Sequence, residues 1–110
     1  MKLSLCNEVI RELSFERQCA LAAALGYEGL EVAPFTLGDD AWRMPAAGRA
    51  SVRRACADAG VEVSGLHWLL AAPAGLSIST EDRVVWRRSV DVMLSSIELC
   101  AELGGAYLVH

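Results

Sequence analysis

The chain holds two histidines, His67 and His110, and each closes a short run of strand-forming residues. A third ionisable side chain, Glu31, sits inside the similar run Gly29-Leu30-Glu31-Val32. Imidazole and carboxylate together suit a borderline divalent cation such as zinc, manganese or cobalt. A histidine at such a site can also orient a substrate hydroxyl or shuttle a proton. Successive side chains on a strand point to opposite faces. If Leu30 and Val32 face covering helices, Glu31 faces the other way. If Ser64 and Leu66 face outward, Val63, Gly65 and His67 face inward. His110 shares a face with Ala106 and Leu108. On that reading Glu31, His67 and His110 converge on one inner cavity. The bland alternatives are a hydrogen-bonded structural histidine at each strand end and a buried ion pair at Glu31.

Two more groups flank these ends. Asn7 and Glu8 follow the first apolar run, where they could contact a polyol or form a capped turn. Trp68 opens an eleven-residue connection, 68–78, that is long for a strand-to-helix loop. It could wall a small-substrate pocket or anchor the loop. Tyr27, Trp42 and Trp86 read as packing residues. There is no glycine-rich phosphate loop and no serine in a nucleophile elbow.

The elements that must position these residues recur. Three segments share one plan, an alanine-rich helix, a glycine and a short apolar strand: 22–32, 57–67 and 101–110. Each glycine falls where a helix needs a left-handed C-terminal residue. The predicted strands are 2–6, 29–32, 61–66 and 106–109. Ser14 caps the first helix, whose stripe is Phe15, Cys19, Ala22 and Ala23. The second, 46–59, carries Val52, Ala55, Cys56 and Ala59 on one side. Ser79 to Asp82 has capping-box spacing and opens a long third helix. Its predicted apolar face is Trp86, Val90, Met93, Leu94, Ile97 and Cys100, with Asp91 and Glu98 opposite. The order β-α-β-α-β-α-β predicts an α/β fold with a parallel sheet and right-handed crossovers.

Ligand-capable residues at strand ends favour a (β/α)8 barrel, whose chemistry sits there. A whole barrel takes about 250 residues, so residues 1–110 are expected to be one partial domain, its first four strands and three helices. A small flavodoxin-like doubly wound domain is the alternative. Two half-barrels pairing as a homo-oligomer is another.

Composition narrows the partners. Apolar residues make up 54% of the chain and the formal charge is -4. This argues against disorder and offers no basic footprint for nucleic acid. The four cysteines, Cys6, Cys19, Cys56 and Cys100, lack metal-knuckle or redox spacing and read as reduced thiols of a cytoplasmic protein. No apolar run is long enough for a membrane span.

The segments 1–8, Leu25-Gly26-Tyr27-Glu28-Gly29-Leu30-Glu31-Val32, Gly65-Leu66-His67-Trp68 and Leu103-Gly104-Gly105-Ala106-Tyr107-Leu108-Val109-His110 together resemble the sugar-phosphate isomerase/epimerase family of xylose-isomerase-like barrels. The resemblance covers the whole chain in order. It implies an eight-stranded barrel, a sugar or sugar-phosphate substrate, and a divalent metal (manganese, magnesium, cobalt or zinc). In that family a glutamate pair moves a proton beside a carbonyl through an enediolate, and the metal-binding carboxylates belong to later strands. The resemblance places His67 and His110 at the family's strand-end histidines, as metal ligands. It places Glu31 at an acidic position of the second strand, so Asn7, Glu8, Glu31 and Trp68 are expected around the substrate. Taken alone, residues 1–110 are not expected to be an active catalyst. Related apurinic endonucleases ligate zinc through such histidines, so a zinc barrel of that type is the second enzyme reading. A non-catalytic half-barrel module is the third.

Overall fold

The computed structural model describes every residue from Met1 to His110. Four strands form one parallel sheet: β1 (Ser4–Cys6), β2 (Gly29–Val32), β3 (Glu62–His67) and β4 (Tyr107–Val109), in that spatial order. Helices α1 (Phe15–Ala24), α2 (Ala46–Ala59) and α3 (Arg83–Leu103) make the connections. The expected order is therefore the observed one, and α2 has the expected bounds. Sequential parallel neighbours joined by helices are the arrangement of successive units in a barrel wall, with a core between sheet and helices.

The recurring glycine works as the repeat predicts. Gly26, Gly60 and Gly104 have φ of 84°, 74° and 87°. Each time the glycine N–H bonds back three residues, and the next N–H bonds back five, as Val61 does to the Cys56 carbonyl. This double closure satisfies the last carbonyls of each helix and turns the chain into the next strand.

The core lies on the helix side of the sheet. Leu30, Val32 and Leu66 are fully buried there against Cys19, Ala22, Val52, Cys56 and Leu99. The Cys19 and Cys56 sulfurs, from α1 and α2, lie 3.9 Å apart.

Three expectations are corrected. Strict alternation put Val63 on the inner face, but the sheet has an irregularity: Leu30 pairs with Val63, while Glu31 pairs with Gly65. One extra residue at Ser64 turns Val63 into the core and leaves Gly65 and His67 facing in, as a bulge does. The apolar face of α3 is also different. It buries Ser89, Val92, Ser96, Leu99, Cys100 and Leu103, while Leu94 and Ile97 are exposed. The serines tolerate burial because their hydroxyls donate to the carbonyls of Val85 and Val92, each at 2.8 Å. The cap of α3 is Asp82 rather than Ser79. Its carboxylate accepts from the N–H groups of Val84 (2.8 Å) and Val85 (3.3 Å).

Among the aromatics expected to pack, Tyr27 joins the core and Trp42 is half-buried under the Arg43 guanidinium, 4.1 Å from its ring centre. Trp86 instead lies at the surface beside Arg83. No helix is long and apolar enough to cross a membrane.

Candidate functional site

The register of the sheet builds the site row by row. Cys6 pairs with Glu31, Glu31 with Gly65 and Gly65 with Tyr107. Paired residues of a parallel sheet point to the same side, so these four form one row on the inner face. His67, two residues beyond Gly65, stands in the next row towards the carboxyl ends. Glu8 reaches the same row from a 3-10 turn, Asn7–Ile10, that follows β1 directly.

The row can be this tight because Gly65 carries no side chain. A Cβ there would stand 2.6 Å from both the Tyr107 ring and its carbonyl oxygen. The Tyr107 hydroxyl, across the glycine, donates to Ser64 Oγ at 3.3 Å.

Three of the residues expected at the site come together. His67 Nε2 lies 2.7 Å from Glu8 Oε2, and His67 Nδ1 lies 3.8 Å from Glu31 Oε2. All three are largely covered, with side-chain exposures of 12% for His67, 23% for Glu8 and 18% for Glu31. With Nε2 as the donor to Glu8, Nδ1 carries a lone pair. That atom is buried and has no hydrogen-bond partner. This orphaned nitrogen lies beside the Glu31 carboxylate.

A fourth residue belongs here and was read from sequence only as a reduced thiol. Cys6 Sγ donates to Glu31 Oε2 at 2.9 Å. That hydrogen bond, with burial and the charges of Glu31 and Glu8, pushes the thiol pKa up to about 12. The signal was present in the sequence: Cys6 closes the first apolar run, directly before Asn7 and Glu8. Donor atoms of Cys6, Glu31 and His67 all lie within 4.8 Å of one another, near enough to share one metal ion.

The other expected residues take different places. Asn7 is fully buried. Its amide donates to Gln18 Oε1 (3.0 Å) and Thr36 Oγ1 (2.7 Å), and its oxygen accepts from the Ala33 N–H (2.8 Å). It ties the end of β1 to α1 and to the segment after β2, and so sets the position of Glu8. Trp68 is 60% exposed, with φ of 58°, and its ring meets Phe35 edge-on at 5.9 Å. It stands at the rim above His67. His110 lies beyond β4 and is exposed. Its strand-mate Leu108 pairs with buried Leu66 and packs on the helix-side core, so Tyr107 and Val109 take the inner face. The parity that would have aimed His110 inward with Leu108 is thus reversed, and the structure does not bring His110 to His67.

Residues 19–110 match the xylose isomerase-like TIM barrel family, and the chain belongs to it. Among solved structures it resembles the crystal structure of D-psicose 3-epimerase in the presence of D-fructose. The TM-score is 0.76 at 18% identity, over 98% of this chain and 36% of that one. The chain thus spans about a third of the epimerase's length and folds as a four-strand portion of its kind of barrel. No curated protein sequence matches the chain significantly.

Proposed function

We propose that the chain is the β1–β4 portion of a sugar isomerase or epimerase that moves a proton on the carbon beside a carbonyl. The observation that carries this reading is the Glu8–His67–Glu31 line on the inner face, at the carboxyl ends of the first three strands. Those ends are where barrel enzymes hold their substrates. Family membership and the epimerase-like fold supply the reaction class.

The substrate is a small sugar or sugar phosphate. Glu8 holds the imidazole of His67 by its Nε2 and fixes the ring plane. His67 and Glu31 then stand side by side on the inner face of the sheet as an imidazole and a carboxylate, groups suited to a substrate hydroxyl and its proton. Trp68, exposed at the rim beside Phe35, offers an apolar face to a sugar ring. A divalent metal supplies Lewis acidity at the substrate oxygen in such a site. The donor set here fits one, because His67 Nδ1 is buried without a partner beside a carboxylate.

The test is proton exchange. A full-length barrel protein that carries this chain as its β1–β4 portion is incubated with a panel of ketoses and their phosphates in deuterated water, with manganese, magnesium, cobalt or zinc, and followed by proton NMR. The expected outcome is loss of the proton signal beside the carbonyl, slowed about 100-fold or more in His67→Gln, the range for a positioned acid or base. Absence of exchange with every sugar and every metal would overturn the proposal.

A further inference from the structure

We infer that Cys6, Glu31 and His67 form a three-ligand site for a thiophilic divalent cation of the zinc or cobalt type, with Glu8 as the carboxylate that orients the histidine. The inference deepens the metal part of the reading above and shares His67 with it. Its test uses no substrate, so the two can fail separately.

Three observations converge. The first is proximity across three strands. Sγ to Oε2 is 2.9 Å, Nδ1 to Oε2 is 3.8 Å, and all three donors lie within 4.8 Å. Zinc bond lengths at tetrahedral angles place donor atoms about 3.4–3.6 Å apart. Shifts of about an ångström or less therefore bring the three onto one ion. The second is the orphaned Nδ1. It is buried 3.8 Å from a carboxylate oxygen, a gap that a shared metal ion would bridge as well as a proton. The third is the bond on the far side of the ring, Nε2 to Glu8 at 2.7 Å. A metal-bound histidine almost always gives its other N–H to a carboxylate or carbonyl, which fixes the tautomer.

The donor types set the metal. Thiolate and imidazole favour zinc and cobalt, whereas magnesium and manganese prefer all-oxygen sites. Binding exchanges the thiol proton for the metal: the S–H proton leaves to solvent as the sulfur–metal bond forms. Three protein ligands would leave a tetrahedral ion one position for water or substrate, as in catalytic zinc sites.

The experiment is a cobalt and zinc titration of the whole chain, read by absorption and calorimetry. We expect one cobalt per chain, with the near-ultraviolet charge-transfer band of a cobalt–thiolate bond, displaced by zinc and not by magnesium. Cys6→Ser must lose the band, and Glu8→Gln must weaken zinc about 10- to 100-fold. Cys19→Ala/Cys56→Ala, which removes the other sulfur pair, must keep the band. The wild-type protein gives a second readout independent of folding in the variants. Saturating zinc must protect Cys6 from alkylation. A folded wild-type protein without the band overturns the inference, as does a band that survives Cys6→Ser or a Cys6 that zinc leaves unprotected.

Discussion

Replacing Asn7 by alanine tests whether this side chain braces the site or touches a substrate. The amide uses both donors and its oxygen: Gln18, Thr36 and the Ala33 N–H are all within 3.0 Å. Alanine leaves two groups stranded at a fully buried position. They are the Ala33 N–H and Gln18 Oε1, and Gln18 cannot swing away freely, because its Nε2 donates to the Leu13 carbonyl at 2.9 Å. Thr36 is less affected, since its hydroxyl still donates to the Ala33 carbonyl at 2.7 Å. An unsatisfied buried polar group costs about 1–3 kcal/mol. Two of them make about 2–6 kcal/mol, a large share of the roughly 5–15 kcal/mol that holds a domain together.

The assay is urea unfolding followed by circular dichroism. At a slope of about 2 kcal/mol per molar urea, a loss of about 3 kcal/mol lowers the midpoint by about 1.5 M. Asn7→Asp should also destabilise. It keeps an acceptor for the Ala33 N–H but sets a carboxylate oxygen against Gln18 Oε1. A midpoint within experimental error of wild type for Asn7→Ala would refute the brace. Unchanged stability with weakened sugar binding would instead make Asn7 the polyol contact that its place after β1 suggested.

Two further predictions rest on the same row of the sheet. Gly65→Ala puts a methyl 2.6 Å from the Tyr107 carbonyl oxygen and ring. It should destabilise by about 1–3 kcal/mol, the range for overpacking, and Tyr107→Ala added to it should restore only part of this, because the carbonyl remains. Urea midpoints of the single and double variants check it. The third concerns pH. The folded pKa of Cys6 lies at about 12, above the ordinary thiol value of 9.0. A raised folded pKa means the native state holds this proton more tightly. The contribution is therefore full below the ordinary thiol value and is lost as pH rises from there towards about 12. Glu31→Gln removes the largest cause of the shift. It should flatten this alkaline decline in the urea midpoint and speed alkylation of Cys6 at mildly alkaline pH.

Much of the framework was legible because its signals are local. A glycine after an alanine-rich helix closes that helix within six residues, as Gly60 and Val61 do on Ala57 and Cys56. No distant partner is needed. The Asn7 brace was not legible, because its partners lie 11, 26 and 29 residues away and meet only once the sheet has formed. The buried face of α3 misled for a related reason. Hydrophobicity pointed to Leu94 and Ile97, while the helix buries two serines that hide their polarity in their own backbone.

The site itself turned on parity, which alternation transmits only along an unbroken ladder. Glu31 and His67 were placed rightly on the inner face, although one residue too many at Ser64 reversed Val63 behind them. On β4 the sequence alone leaves parity open, and the inner face is taken by Tyr107 and Val109, not by His110. Register pairing settles it, since Leu108 must lie beside buried Leu66. The same pairing sets Cys6 beside Glu31. The thiol joins the carboxylate because adjacent parallel strands bring residues of one parity into one row, and the histidine reaches both from the next row.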